Sequence, residues 1–181
     1  MLIVDKNTQK RRWPISLFMR TALIEAQKAI VLDEIPVGAV ISRKNHIIAA
    51  AHNMIHTVVP DPTGHAEILA IRAACQILQS ERLADCDLYV TLEPCTMCAA
   101  AISFARIRRL YYGAQNLKGG AVENGARFFS QPTCHHSPDV YSAIAESDCT
   151  TLLRDFFLEK RKKVSSNDKT HCYLDFTSNG Q

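Results

Sequence analysis

The sequence predicts an α/β protein with three layers, in which helices cover both faces of a mixed five-stranded sheet that begins with a β-hairpin. Segments with the spacing of amphipathic helices alternate with short apolar segments typical of buried strands. The first two strand-like segments, 37–41 and 46–51, are joined by the polar turn Arg43-Lys44-Asn45, which indicates a hairpin.

The remaining elements follow from local signals in chain order. The first predicted helix covers residues 16–32, because apolar residues recur on one face, Ser16 can cap its start, and Pro36 cannot continue it. A second helix is expected from His65 to about Gln79, with Thr63 as its cap. The other predicted helices cover 95–105 and 146–163, and the other predicted strands cover 87–92, 106–113 and 140–144.

Length and composition favour one globular domain. The chain has 181 residues, of which 47% are hydrophobic and 22% charged, so it is long enough to bury a core and is not typical of disordered chains. We predict one domain over residues 1–163 and a polar tail over 164–181. No apolar run approaches the roughly 20 residues of a membrane span, and the N-terminus lacks the layout of a secretory signal, so a cytoplasmic location is expected.

Charge and cysteine content narrow the chemistry only in part. The net charge of +3 does not by itself indicate a nucleic-acid partner, so local basic clusters must carry that argument. The cysteines are odd in number and irregularly spaced, which disfavours a disulfide framework. Five of them are expected to be ordinary thiols in a reducing compartment: Cys75, Cys86, Cys134, Cys149 and Cys172.

Two short motifs predict a catalytic zinc site. Cys95 and Cys98 form a Cys-x-x-Cys pair preceded by Pro94, and His65 lies upstream in His-Ala-Glu. Three protein ligands leave one position of a tetrahedral Zn²⁺ open for water, which is typical of catalytic rather than structural zinc. Glu67 lies close enough to exchange a proton with that water.

Each motif alone has a plainer interpretation. A single Cys-x-x-Cys can be redox-active or half of a structural site, and His-x-Glu occurs often by chance. The combination, in this order, is the signature of zinc-dependent nucleobase deaminases. Both ligand groups are predicted at helix N-termini, where the positive end of the helix favours thiolate over thiol. Residues two apart on a helix do not share a face, so His65 and Glu67 converge only if they lie in the first turn.

Beyond these motifs, the sequence resembles the bacterial tRNA-specific adenosine deaminases, zinc deaminases of the cytidine deaminase-like superfamily, from about residue 18 to residue 163. The resemblance rests on segments distributed along the chain: 36–40, 61–63, 65–67, 88–98, 103–112, 113–114, 118–120 and 153–157. It implies the cytidine deaminase-like fold, a homodimer, and hydrolysis of adenosine to inosine at the wobble position of a tRNA anticodon.

The resemblance also implies roles for individual residues. His65, Cys95 and Cys98 match the ligands of one Zn²⁺ per subunit, which activates hydroxide, and Glu67 matches the proton shuttle. Asn53 matches a residue that contacts the nucleoside, and the purine pocket wall is matched by Ile35, Pro36 and Val37. Asn116 and Lys118 match contacts to the RNA strand. Phe156 and Phe157 match the helix around the anticodon loop.

Several of these assignments have alternatives. Asn53 could simply hold a turn, and one of Phe156 and Phe157 is expected to belong to the core. The basic cluster 160–163 is the better candidate for RNA binding, whereas the arginines at 106–109 can be structural. Asn116 stands where many relatives carry Asp, which removes a negative charge facing the RNA.

Three functions compete at this point. The first is a tRNA wobble adenosine deaminase. The second is a zinc deaminase of a free base or nucleotide, such as guanine, cytidine or dCMP. The third is a nonenzymatic zinc module that binds RNA. Glu67 argues against the third function, since a structural zinc needs no proton shuttle. A basic C-terminal helix favours the first function over the second, because a small substrate has no need of it.

Overall fold

The computed structural model describes residues 15–56 and 60–174, with side chains as far as residue 163. Four helices and five strands follow one another in the predicted order: α1 (Leu17–Val31), β1 (Gly38–Arg43), β2 (His46–His52), α2 (Ala66–Leu78), β3 (Cys86–Leu92), α3 (Thr96–Phe104), β4 (Arg109–Ala114), β5 (Asp139–Tyr141) and α4 (Glu146–Leu174). A short 3-10 turn covers Phe128–Ser130.

The strands form one sheet in the order β2-β1-β3-β4-β5. Strand β1 is antiparallel to β2 and β3, whereas β3, β4 and β5 are parallel. Lys44 and Asn45 have φ angles of 48° and 63°, the left-handed conformation that a two-residue hairpin turn requires. The predicted mixed five-stranded sheet with an initial hairpin is confirmed.

Helices cover both faces of the sheet, as predicted. Helices α2 and α3 pack on one face, where Ile41, Leu88 and Leu110 belong to the larger core. Helices α1 and α4 pack on the other face, where Val40 and Tyr89 belong to a second cluster. Strand β3 is buried along almost its whole length, as expected of a central strand covered on both sides. Its carboxyl end leads directly to α3, which places the Cys-x-x-Cys motif at the carboxyl end of the central strand.

Some element boundaries differ from the prediction. Strand β4 begins at Arg109 rather than at residue 106, because Arg106 has a φ of 58° and cannot lie in a strand. Strand β5 ends at Tyr141 because Ala143 and Ala145 also have positive φ. Ser16 caps α1 as predicted, accepting a bond from the amide of Met19 at 3.3 Å.

The start of α2 and the end of α4 also differ. His65 itself is the N-cap of α2, and the hydroxyl of Thr63, the expected cap, donates instead to Asp61. Helix α4 continues to Leu174, into the segment expected to be a polar tail, because no Gly or Pro interrupts residues 146–174. Residues 175–181 lie outside the described residues.

Four of the five cysteines expected to be ordinary thiols lie among the described side chains. Cys75, Cys86, Cys134 and Cys149 are free thiols, as predicted, while the side chain of Cys172 lies outside the described part. Within the described ranges, no helix combines the length and apolar character needed to cross a bilayer.

Candidate active site

Three potential metal ligands converge where α2 and α3 begin. His65 is the N-cap of α2, Cys95 is the N-cap of α3, and Cys98 is buried within the first turn of α3. Their ligand atoms all lie within 4.8 Å of one another. The predicted placement of both motifs at helix N-termini is therefore confirmed, since the chain enters each helix at a ligand.

The distances within this cluster fit a tetrahedral zinc site. His65 Nδ1 lies 3.7 Å from the sulfur of Cys95 and 3.5 Å from the sulfur of Cys98. Zinc–sulfur and zinc–nitrogen bonds of about 2.3 and 2.0–2.1 Å, at a tetrahedral angle, separate the two ligand atoms by about 3.6 Å. The three side chains thus match the spacing that one zinc ion requires, and a fourth position is left to a nonprotein ligand.

The two thiols and the imidazole of this cluster shift one another's pKa values. Hydrogen bonding with Cys98 and His65 lowers the pKa of the Cys95 thiol to about 4. The neighbouring Cys95 sulfur and burial raise the pKa of Cys98, and hydrogen bonding to Cys95 raises the pKa of His65. Cys95 is therefore the most acidic thiol of the cluster, and a metal ion bound here would take up thiolate sulfur and a neutral imidazole nitrogen, the donors that Zn²⁺ prefers.

Glu67 lies in the first turn of α2, beside this cluster. It is only 4% exposed, and burial raises its pKa to about 7. The condition that His65 and Glu67 share the first turn is met, because His65 is the N-cap and α2 starts at Ala66. A carboxyl group here can accept a proton on one side of the metal position and release it again.

Asn53 and the segment 35–37 lie next to the start of α2. The side-chain oxygen of Asn53 accepts a bond from the backbone amide of Ala66 at 3.0 Å, and the backbone amide of Asn53 donates to the carbonyl of Val37 at 3.1 Å. The structure therefore brings Asn53 and the 35–37 segment to the cluster. The contact with Ala66 also shows that Asn53 holds the local backbone, in addition to any contact with substrate.

Comparison with known proteins identifies the family. A family model described as MafB19-like deaminase matches residues 16–161. The tRNA-specific adenosine deaminase of Agrobacterium fabrum is 63% identical over 144 residues, which cover 80% of this chain and 94% of that protein. The chain belongs to the tRNA-specific adenosine deaminase family.

Solved structures support the same family. A structure from a study of A-to-I editing by tRNA:A34 deaminases at the wobble position has a TM-score of 0.73 and 62% identity, covering 75% of this chain and 98% of that one. A guanine deaminase from Bacillus subtilis has a TM-score of 0.53 and 35% identity, covering 68% and 82%. The deaminase fold is thus shared more widely than the tRNA-specific family, and likeness is greater to the tRNA enzymes.

The loop that carries Asn116 and Lys118 in this family member follows β4. The side-chain oxygen of Asn116 accepts a bond from the amide of Gly119 at 2.9 Å, so part of this side chain closes its own turn. Lys118 is exposed. The contacts of Asn116 and Lys118 with RNA stay predictions.

The two phenylalanines of α4 that are predicted to contact the anticodon loop differ in burial. Phe156 is 7% exposed and packs inward, whereas Phe157 is 44% exposed, so one of the two belongs to the core, as expected. Lys160 pairs with Asp33 and lies 5.5 Å from the centre of the Phe156 ring. Residues 161–163 are exposed.

Arg108 is bound at 2.9 Å by both carboxylate oxygens of Asp87, which makes it structural.

Two buried acids near the site were not predicted from the sequence. Glu34, 1% exposed, accepts a bond from the amide of His56, and its second carboxylate oxygen has no partner among the described residues. Glu93, also 1% exposed, accepts several bonds from the loop after β4. The sequence offered one signal for these acids. Glu34 lies just before Ile35-Pro36, and Glu93 lies between an apolar strand and Pro94. That position did not indicate which segment each carboxylate would bind.

Proposed function

We propose that the chain is a zinc-dependent deaminase that hydrolyses adenosine to inosine at the wobble position of a tRNA anticodon. The observation that carries this proposal is the cluster of His65, Cys95 and Cys98, with buried Glu67 beside it. Its donor atoms fit one Zn²⁺ per subunit and leave room for one further ligand. The identity of 63% to a tRNA-specific adenosine deaminase supports the choice of substrate.

The chemistry divides between the metal and the chain. Zn²⁺ held by the three side chains would supply the Lewis acidity that makes water nucleophilic at neutral pH. Glu67 accepts the proton of the attacking water and delivers it to N1 of the adenine. It then moves the proton of the new hydroxyl group on C6 to the amine, and the C6–N bond breaks to release ammonia and leave the carbonyl of inosine. Burial keeps Glu67 away from bulk water, so the proton remains in the site during the reaction.

Asn53 and the 35–37 segment are proposed to bind the flipped nucleoside. Ile35, Pro36 and Val37 form a tight turn in which the amide of Val37 donates to the carbonyl of Ile35 at 2.8 Å. The carbonyl of Val37 accepts the backbone amide of Asn53, and Asn53 in turn bonds to Ala66 at the start of α2. The apolar 35–37 segment and the side chain of Asn53 are therefore fixed relative to each other and to α2. A rigid apolar wall with one polar group suits a planar base that has left its stack.

The RNA is proposed to lie across the loop after β4 and the end of α4. Lys118 and the cluster 161–163 supply exposed positive charge, and Phe157 supplies an exposed aromatic surface. Single-stranded loops offer unstacked bases and accessible phosphates to such groups. An anticodon loop therefore fits this surface better than a duplex, because its target base is already easy to extrude.

Assembly and location are parts of the same proposal. We propose a homodimer, as the family resemblance implies, and a cytoplasmic enzyme, because that is where its tRNA substrate would be met. Sedimentation equilibrium of the purified chain tests the dimer directly. A single species at the mass of one chain, at the concentration used for catalysis, would reject it.

A free-base deaminase is the second candidate. The observation that favours this candidate is the 35% identity to a guanine deaminase. The two activities differ in substrate size, so a substrate panel separates them. Zinc-loaded protein is incubated with an anticodon stem-loop carrying adenosine at the wobble position, and separately with adenosine, cytidine, dCMP and guanine, with products identified by mass.

The panel has two decisive outcomes. Inosine in the stem-loop alone supports the tRNA function. Turnover of a free base or nucleotide, with the stem-loop unchanged, would reject the tRNA function and leave the zinc chemistry in place. The Glu67→Gln variant is the matched control, because it preserves shape and must be inactive on every substrate that reacts by this mechanism.

A further inference from the structure

The carboxylate of Glu93 is bonded to two places in the loop that follows β4, Asn116 and residues 122–124. One oxygen accepts the backbone amides of Val122, Glu123 and Asn124 at 3.1, 2.9 and 2.9 Å. The other accepts the amide of Asn116 at 3.0 Å and the side-chain amide of Asn124 at 2.6 Å. Five donors thus converge on one buried anion, which converts an irregular segment into a closed loop.

The same loop is joined to the chain around the metal ligands. The amide of Ala121 donates to the carbonyl of Pro94 at 2.9 Å, and Gly120 forms an antiparallel bridge with Cys95. A Cβ atom at Gly120 would lie 2.5 Å from Glu93 Oε2 and from the carbonyl of Asn116. The glycine therefore allows the loop backbone to approach the carboxylate this closely.

We propose that Glu93 is a positioning residue for the RNA substrate. Asn116 and Lys118 lie between the two points at which Glu93 binds the loop. The carboxylate fixes where these two residues stand relative to His65 and Cys95, and so sets the register of the anticodon loop against the reacting base. This inference rests on the proposed tRNA function and on the two predicted RNA contacts, and it assigns Glu93 no contact with the substrate.

A carboxylate is required here because all five groups bonded to its oxygens are N–H donors. Replacement of Glu93 by Gln keeps the length and shape but turns one acceptor oxygen into an NH₂ group. That group meets N–H donors, so at least one of the two places in the loop loses its bonds. His65 accepts the amide of Leu69 at 3.0 Å at the start of α2, and Cys95 accepts the amide of Ala99 at 2.8 Å at the start of α3, so these residues keep helix contacts that do not involve Glu93.

The test compares steady-state kinetics of zinc-loaded wild type and Glu93→Gln on the anticodon stem-loop. We expect KM to rise about tenfold, the equivalent of losing roughly one hydrogen bond to a charged acceptor, with kcat within about threefold and zinc content unchanged. Glu81→Gln is the matched control: it removes the same charge from an exposed side chain before β3, and its KM should equal that of wild type.

Asn124→Ala provides a second, milder variant. It removes one bond to Glu93 from the side of the loop and leaves β3 intact, so it should raise KM in the same direction by a smaller factor. It decides the question if Glu93→Gln does not fold.

Three results would overturn the inference. These are an unchanged KM in both variants, a fall in kcat without a rise in KM, or a loss of zinc in parallel with activity. The proposed function fails separately, since in that case wild type itself leaves the stem-loop unreacted.

Discussion

Gly38, at the start of β1, is predicted to be a position where even one added methyl group displaces a helix. A Cβ atom at this residue would overlap the carbonyl oxygen of Ala22 and lie 2.6 Å from the amide nitrogen of Ala26. Both atoms belong to the backbone of α1, which cannot rotate away as a side chain could. The residues through which α1 packs here, Met19 and Ala29 among them, are fully buried.

The magnitude follows from these contacts. To accommodate the methyl group, α1 must move outward by roughly 1 Å, which loosens its packing on the sheet; overpacking of this kind costs about 1–3 kcal/mol. Because the obstacle is helix backbone, we expect Gly38→Ala to lower the free energy of unfolding by about 3 kcal/mol. The displaced α1 also moves the 35–37 segment, so activity should fall beyond the loss of folded protein.

Gly119→Ala is the matched control. A Cβ atom there would lie 3.4 Å from the side chain of Asn116, which is ordinary contact, and the residue has no left-handed φ. The same substitution should therefore be neutral or stabilise the protein by about 0.5 kcal/mol, because it restricts the unfolded chain.

Urea denaturation followed by circular dichroism measures both glycine variants. With a slope of about 2 kcal/mol/M, the midpoint of Gly38→Ala should fall by about 1.5 M, with the slope unchanged. Equal midpoints for Gly38→Ala and Gly119→Ala would refute this reasoning, because they would mean that α1 does not approach β1 so closely.

Three further predictions concern single side chains. Glu67→Gln should lower kcat on the stem-loop by about 10²–10⁴-fold, because it removes the proton acceptor and keeps the shape; metal analysis should find the same zinc content, and an active variant would reject the mechanism. Burial alone would raise the pKa of Glu25, but hydrogen bonds from Lys28 and His52 outweigh it and lower the pKa. The stabilisation is therefore present above pH 4.5, the ordinary pKa, and is lost as pH falls through the lower folded pKa. Glu25→Gln should thus reduce the free energy of unfolding near neutral pH by about 1 kcal/mol and weaken its acid dependence, and parallel pH profiles for variant and wild type would contradict the assignment. Asn116→Asp keeps the bond to Gly119 and adds a negative charge, so affinity for the stem-loop should fall several-fold at low salt and less at high salt. It should also change which neighbouring nucleotide is preferred, and identical profiles on several loop sequences would reject that part.

The helices, the strands and the residues that could hold a metal ion were predictable because their signals are short sequence patterns. A helix or strand shows itself in the spacing of apolar residues over one segment, and the Lys44–Asn45 turn lies between two such segments. The residues His65, Cys95 and Cys98, which could hold a metal ion, were predictable as a group because zinc chemistry limits the residue types and spacings that can bind the ion. Boundaries were less accurate at Arg106 and Thr63, because a single residue in a left-handed conformation or a competing side-chain bond changes the end of an element.

Contacts between distant segments that carry no shared motif were not predictable. Lys160 looked like part of a basic RNA-binding cluster, yet it pairs with Asp33, 127 positions away. Nothing in the Phe156-Phe157 pair indicates which ring packs inward, since that depends on how α4 lies on the sheet. Glu93 stood inside a recognisable motif, but its partners come from a segment whose Gly and Asn content indicated only a loop.

By itself, the sequence determined the order of helices and strands, and it indicated which residues could hold a metal ion and which could carry a proton, because each is encoded in residue type and short spacing. Only the tertiary structure decided that His65, Cys95 and Cys98 meet at distances suited to one metal ion and that Glu93 closes the loop carrying Asn116. These features depend on side chains brought together by the packing of α2 and α3 on the sheet. No local pattern records such packing, because it arises from the burial of many apolar groups at once.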